Sequence, residues 1–386
     1  MTLSLNELFA QAYEWQEAGE FHKAGHAYAE YLNQRRGDPS AWNNLGNCYR
    51  SLGRDDKAIP CFDEALKLEP GRVSSRLNRG LALLATGDYL AAWPDYEARL
   101  ETIEFRKEVV AQRDRQWHGE HLGKGEPLYL FSNQGLGDAF QTWRFLPEVE
   151  DRVEEIVLEL QEPILPLAGG LSEKFRVVKR GDPVGPVARW CELFSLPGLL
   201  DITRENLPQT PRVEFSRSEE IQNRIRQERE RFPGKPLIGF VWSGTPANPL
   251  NRFRACGLNH LRPFLEREEF RCVSLQKDAP ATEIETLGLQ DSILDLGPFL
   301  TDFGATATAI EELDLVIATD TSIPNLIGML NREAWVMLHR PADWRWGQEG
   351  ERSPWYPSLR LFRQKRMRDW PSLIDEVLQA LLQRLG

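Results

Sequence analysis

The sequence predicts an α + α/β protein, with helical repeats at the N-terminus followed by two Rossmann-like α/β halves. Three observations carry this reading. Small and aromatic residues recur at a fixed interval through residues 5–106. From Glu126 onward, short apolar runs alternate with helix-like segments, the pattern of a parallel sheet with crossover helices. A highly charged helical stretch, residues 216–232, divides that alternation into two series. A chain of 386 residues with 41% apolar content is long enough to bury the cores of two or three domains.

The N-terminal interval is 34 residues: Gly19, Gly53 and Gly87 fall in register, as do Ala24, Ala58 and Ala92, and Tyr28, Phe62 and Tyr96. The middle copy is fullest, with Trp42, Leu45, Gly46, Tyr49, Gly53, Ala58, Phe62, Ala65 and Pro70. This pattern resembles the tetratricopeptide repeat, and it divides residues 1–106 into copies at 5–38, 39–72 and 73–106. Each copy is expected to be a helix pair. Gly46 and Ala58 permit a close helix crossing, and the aromatic positions fill the groove between neighbours. Asn44 and Asn78 share one repeat position on the first helix of their pairs. In the resembling family, asparagines at this place hold the backbone of an extended peptide; the simpler reading is a solvated helix position. His22 and His26 stand four apart on one helix, with no third residue to complete a metal site.

Residues 107–125 are charged, end in glycines and read as a linker. The first α/β half is expected at 126–215, with strands in PLYLF, IVLEL and FRVVK. A connecting helix at 216–235 ends at Pro233 and Gly234. The second half, 236–386, has strands in LIGFVWS, RCVSLQ, LDLVIAT and EAWVML. Helices lie between them near 259–265, 305–312 and 322–330, and residues 372–385 form an amphipathic closing helix.

Two strand-to-helix turns stand out as sites. In FSNQGLGDAFQTWR, a strand ends in a loop containing Gln134, Gly135 and Gly137, and Asp138 falls in the first turn of the following helix. Such turns lie at the carboxyl edge of a sheet, where ligands bind. Asp is also a favoured cap, so a structural role stands beside a chemical one. In the second half, Asp320, Thr321 and Ser322 open a helix directly after LVIAT; its unpaired N–H groups and hydroxyls suit an anion. A helix terminus alone contributes about 0.3–1 kcal/mol at an exposed site, so a diphosphate needs further cations. Arg252 and Arg254, in the polar loop opened by the phosphate-binding candidates Ser243 and Gly244, and Lys277 after the next strand are the candidate cations. Trp344, Trp346, Trp355 and Tyr356 crowd residues 342–356, either as a stacking surface or as a loop pinned to the core.

Composition narrows the partners. With 58 acidic against 47 basic residues, the net charge is −11, and no basic run interleaved with aromatics suggests a nucleic-acid groove. No apolar stretch approaches membrane-spanning length, and MTLSLNELFAQAYEW lacks the pattern of a signal peptide, so a cytoplasmic protein is expected. The five cysteines are widely spaced without a CxxC pair, which indicates neither a disulfide framework nor a zinc site. No two aspartates are spaced Asp-x-Asp, which favours a site without metal; no cofactor is expected.

Taken together, GDYLAAWPDYEARL, NQGLGDAFQTWRFLP, IGFVWSGTPANPLNRFRACGL, DLGPFLTDF, LDLVIATDTSIPNLIGML, ADWRWG and SPWYPSLRLFRQ resemble bacterial proteins that join tetratricopeptide repeats to a glycosyltransferase of GT-B architecture. That group is similar to the heptosyltransferase-like family and, more distantly, to the protein O-linked N-acetylglucosamine transferases. The resemblance implies inverting transfer from a nucleotide-diphosphate sugar to an acceptor hydroxyl on a protein or peptide presented by the repeats. Asp138 would be the general base, and Thr321, Ser322, Arg254 and Lys277 would hold the diphosphate. The chain departs from the pattern at Asn325, where a histidine is expected, and at Asn248, Asn251 and Ala255, where His, Asp and Ser are expected. Each change removes a titratable or hydroxyl group. They motivate a second reading, a non-catalytic interaction scaffold on a degenerate domain. A third is a transferase acting on a glycan or a lipid-linked acceptor.

Overall fold

The computed structural model describes residues 3–248 and 250–386, and they form two compact units. The first comprises Met1–Ala111 together with Pro197–Leu207 and Arg340–Glu349; the second comprises Gln112–Leu196, Pro208–His339 and Gly350–Gly386.

In the first unit, the helices α1 (Leu5–Glu17), α2 (Phe21–Gln34), α3 (Pro39–Ser51), α4 (Asp55–Leu68), α5 (Val73–Thr86) and α6 (Tyr89–Tyr96) start at intervals that reproduce the repeat: 5, 39 and 73 for first helices, and 21, 55 and 89 for second. Local chemistry sets the ends. Ser4 and Glu7 form a capping box on α1, with the Ser4 N–H donating to Glu7 Oε2 at 2.8 Å. Asp38 caps α3 by accepting from the Ser40 and Ala41 N–H groups at 2.9 and 3.2 Å, with Pro39 at the first helical position. Gly87 terminates α5 at φ +94°, a left-handed conformation that glycine adopts without strain.

Packing explains the small residues. A Cβ on Gly46 would stand 2.5 Å from the Phe62 ring, and one on Gly80 would stand 2.8 Å from the Tyr96 backbone nitrogen. Ala24, Ala58 and Ala92 are fully buried. Two segments from far along the chain complete this unit. The Trp93 indole donates to the Ile202 carbonyl at 2.8 Å, and the Trp344 ring packs edge-on against both Tyr89 and Trp93. Pro341 lies against the Gly53 turn and Arg204 against the Gly87 turn. Trp344 and Trp346 are thus core residues of the repeat unit, buried to 4% and 1% exposure.

The second unit holds two all-parallel sheets. The first orders its strands β3-β2-β1-β4, with β1 Leu128–Phe131, β2 Ile156–Leu160, β3 Phe175–Lys179 and β4 Arg189–Glu192. The second runs β10-β9-β8-β5-β6-β7, with β5 Leu237–Val241, β6 Arg271–Ser274, β7 Ile293–Asp295, β8 Leu315–Thr319, β9 Ala334–Leu338 and β10 Leu359–Arg363. Strands β1, β2, β5, β8 and β9 are buried along their whole length, as continuous apolar runs in covered parallel sheets should be. The closing helix Trp370–Leu385 buries Leu373, Ile374, Val377 and Leu381 in the same core cluster as apolar residues of β5, β8, β9 and β10. In the second sheet, counted within its own half, the order is 3-2-1-4-5-6 read outward from β7, the doubly wound arrangement. The first sheet follows the 3-2-1-4 part of the same order.

Candidate functional site

In a doubly wound sheet the connections leave in opposite directions on either side of one strand, and the carboxyl ends there open a crevice. That reversal falls between β1 and β4 in the first sheet and between β5 and β8 in the second. The two turns singled out in the sequence, after β1 and after β8, occupy these places.

At the first turn, the fully buried Glu192 at the end of β4 accepts from the Asn133 N–H at 3.2 Å and the Phe194 N–H at 2.9 Å. The Gln134 carbonyl accepts from Gln161 Nε2 at 3.1 Å, so the loop is held from strands on both sides. Gly135 caps the helix Leu136–Thr142, and half-buried Asp138, three residues on, accepts from the Gly135 N–H through Oδ2 at 2.9 Å. The helix cap is therefore Gly135 rather than Asp138, which stands at the third helical position and turns its carboxylate back onto the Gly135 N–H, and this fixes the carboxylate's orientation.

At the second turn, Thr321 caps the helix Ser322–Met329, with its hydroxyl accepting from the Ile323 N–H at 3.3 Å. Asn325 Nδ2 donates to the Thr321 carbonyl at 3.2 Å. The two helices meet where they begin: a Cβ on Gly137 would stand 3.0 Å from Asn325 Nδ2 and 3.4 Å from Ser322 Cα. A side chain at Gly137 would press on this contact, and Asn325 would have to give by a few tenths of an ångström. The structure brings Gly135, Gly137, Asp138, Thr321, Ser322 and Asn325 into one neighbourhood. Around it, Thr319 Oγ1 and Asn325 Oδ1 are buried and make no hydrogen bond among the described residues.

The loop after β5 joins the same neighbourhood, since a Cβ on Gly244 would lie 3.6 Å from Thr321 Cγ2. Its shape rests on two amides that sequence reasoning did not assign. Buried Gln276 accepts from the Trp242 and Ser243 N–H groups, both at 3.0 Å, and donates to the Ser243 and Lys277 carbonyls at 3.0 and 3.2 Å. Asn251 donates to Ser243 Oγ at 3.1 Å and accepts from the Gly244 N–H at 2.9 Å. The only hint in the sequence is a polar residue closing an apolar strand; the partners lie 33 and 34 residues away.

Electrostatics separate the candidate cations. Arg254 Nε sits 3.5 Å from Asp320 Oδ2, so its charge faces a buried carboxylate. The Lys277 ammonium donates to the Leu300 carbonyl. Arg252 is exposed over the Phe253 ring. Behind the site, buried Arg144 donates to the Trp355 carbonyl at 2.7 Å, and its guanidinium lies 4.9 Å from the Tyr356 ring centroid. Burial holds this guanidinium below the usual arginine range. Tyr356 in turn packs on Gly328, where a Cβ would meet the ring at 2.2 Å. Trp355 and Tyr356 are packing residues.

In the repeats, Asn44 and Asn78 are engaged within the array. Asn44 Nδ2 donates to the Tyr28 hydroxyl at 3.1 Å; Asn78 Nδ2 donates to Asn43 Oδ1 at 3.1 Å, which also accepts from the Ser75 hydroxyl. His22 and His26 are exposed. All five cysteines are buried and free, and burial pushes the Cys48, Cys61 and Cys272 thiols up to about 12.

Two tetratricopeptide-repeat models match the chain, at residues 39–72 and 56–103. Residues 39–103 are tetratricopeptide repeats. Over 403 aligned positions the chain is 25% identical to Protein FlbA of Caulobacter vibrioides, covering 88% of this chain and 66% of FlbA, just under two thirds of that protein. It is 29% identical over 114 residues to the peroxisomal targeting signal receptor of Yarrowia lipolytica, covering 30% of this chain and 18% of the receptor. Among solved structures, the Sgt2 tetratricopeptide domain of Aspergillus fumigatus aligns at 24% identity and a TM-score of 0.25, covering 26% of this chain and 66% of that domain. No described helix is long and apolar enough to cross a membrane.

Proposed function

We propose that the chain is a cytoplasmic glycosyltransferase of GT-B arrangement. It would transfer a sugar from a nucleotide-diphosphate donor to a hydroxyl on a protein or peptide brought by the repeats, with inversion and without a metal. One observation supports this best: two parallel sheets each place a strand-to-helix turn at the point where strand order reverses, and the two helices touch at Gly137 and Asn325. In this reading Asp138, oriented by the Gly135 N–H, accepts the proton of the acceptor hydroxyl. The oxygen then attacks the anomeric carbon as its bond to the diphosphate breaks. The N–H groups that open the Ser322–Met329 helix receive the charge that develops on the leaving group. The buried unsatisfied Thr319 hydroxyl and Asn325 carbonyl oxygen support a polar ligand at this turn. The repeats supply an extended surface of the kind that binds polypeptides.

A second reading is a non-catalytic interaction scaffold. Two of the candidate cations are already occupied, Arg254 by Asp320 and Lys277 by the Leu300 carbonyl, and this favours it. A glycan or lipid-linked acceptor is a variant of the first reading. Intact-mass analysis of proteins co-expressed with the chain separates these. A hexose-sized or related increment that Asp138→Asn removes, in a variant that stays folded, supports protein glycosylation. An increment on glycan or lipid alone moves the acceptor. No increment, together with no stabilisation by any nucleoside diphosphate, leaves the scaffold.

A further inference from the structure

The segments that follow β5 and β10 carry cations that this acidic chain leaves without carboxylate partners. Arg252 and Arg368 are both exposed, and their guanidinium carbons lie 4.8 and 5.3 Å from the centroid of one ring, Phe253. Residues 363–368, RQKRMR, contain four cations and no acid. Among the described residues, Arg252, Arg366 and Arg368 enter no salt bridge. Other surface arginines do: Arg217 pairs with Glu311 and Glu312, Arg224 with Glu220, and Arg360 with Glu351. In a chain of net charge −11, two unneutralised guanidiniums over one ring, Arg252 and Arg368, form a local positive field.

Their position connects them to the Thr321 turn. Strands β5 and β10 belong to one parallel sheet, so both segments leave from its carboxyl edge. Asn251 ties the short helix Asn251–Arg254 to Gly244, which lies against Thr321. A guanidinium resting on an aromatic ring has already given up part of its rotamer freedom and loses less on meeting a ligand. Both stand over the same ring, so a polyanion that spans that ring can reach both. Arginine also matches phosphate oxygens with paired N–H donors.

We infer that Arg252 and Arg368, seated on Phe253, form a phosphate clamp that takes the diphosphate of a nucleoside-diphosphate ligand beside the Thr321 turn. This rests on the donor class proposed above. It supplies the cationic charge that Arg254, facing Asp320, and Lys277, bonded to Leu300, do not bring unencumbered. Exposed Leu250 and Met367, 50% and 37% accessible, flank the clamp, so the competing source of phosphate is an anionic lipid surface.

Calorimetric titration of the full chain with inorganic pyrophosphate and with uridine, guanosine, adenosine and cytidine diphosphates tests the clamp. Vesicles containing phosphatidylglycerol provide a parallel arm. Arg252→Gln and Arg368→Gln are each expected to weaken diphosphate binding by about tenfold or more, the loss of one charge-assisted bond. The exposed Arg226→Gln should leave it unchanged. Unaltered circular dichroism shows that the variants remain folded. Diphosphate binding that is equal in wild type and both clamp variants overturns the clamp while leaving the donor reading intact. No binding of any diphosphate by the wild type overturns both. Arginine-dependent binding to vesicles with none to free diphosphates also overturns the clamp, assigning the patch to lipid.

Discussion

Replacing Gln276 with alanine should release the loop that carries Ser243 and Gly244. One side-chain oxygen of Gln276 satisfies two buried N–H groups, those of Trp242 and Ser243, each at 3.0 Å. Alanine leaves both without a partner, and an unsatisfied buried donor costs about 1–3 kcal/mol. Part of the cost is relieved if the loop opens to water, so a net loss of about 2–4 kcal/mol in local stability is expected. A chain built from two compact units need not unfold in one transition, which makes bulk melting a poor gauge. Amide hydrogen exchange reads the loop directly. At about 1.4 kcal/mol per tenfold, the Trp242 and Ser243 amides should exchange roughly 30- to 700-fold faster in the variant. Gln276→Glu should not restore protection. It can still accept both bonds but turns a carboxylate oxygen toward the Ser243 and Lys277 carbonyls that Nε2 now serves. Unchanged protection of the two amides in Gln276→Ala would refute the claim that this side chain shapes the loop.

Other expectations follow from the same geometry. Gly46→Ala gains about 1 kcal/mol of helix propensity but drives a methyl into the Phe62 ring, and overpacking costs about 1–3 kcal/mol; a net fall in the melting temperature of the repeats is expected by calorimetry. Asp138→Ala should cost only about 0.5–2 kcal/mol through the lost bond to Gly135, so abolished transfer alongside a near-normal denaturation curve would mark a chemical role. Burial raises the Asp55 carboxyl from its ordinary 3.8 to about 6, despite Arg50 at 3.7 Å. The folded state therefore holds this proton more tightly than the unfolded chain does. The associated stability is fully present below about pH 4 and is lost as pH rises through 6. Asp55→Asn should remove that component, visible as a flatter difference in urea midpoint between pH 4 and 7. A fragment ending at Ala111 lacks Ile202 and Trp344, so Tyr89 and Trp93 lose cover; it should melt lower than the repeats do within the whole chain and bind a hydrophobic dye.

Much of the fold was legible because local chemistry decided it. The 34-residue spacing marked the helix pairs, since Gly19, Gly53 and Gly87 take positive φ at their turns and Ala24, Ala58 and Ala92 are fully buried. Apolar runs such as LVIAT and IVLEL are strands buried end to end. Strands β4, β7 and β10 carried a weaker signal. β4 (RWCE) and β7 (ILD) are short and end in acids, while β10 (LRLFR) alternates arginine with apolar residues at the edge of its sheet. What could not be read was long-range. Nothing near Trp344 announces that it packs on Tyr89, more than two hundred residues earlier. Likewise Arg254 reads as a loop cation until its pairing with Asp320 is seen, and Asn44 as a solvated amide until Tyr28 takes its N–H. The turns at Asp138 and Thr321 could be placed because a polar or glycine turn between strand and helix is itself a local signature; their contact could not.

In the proposed function, the turns after β1 and β8 hold a nucleotide-diphosphate sugar between them. Amide exchange of the full chain with and without saturating nucleoside diphosphates tests it most directly. Slower exchange in residues 320–325 and 133–138, with the repeats unchanged, is the predicted result. Contradiction would be no change at either turn for any nucleotide in the panel.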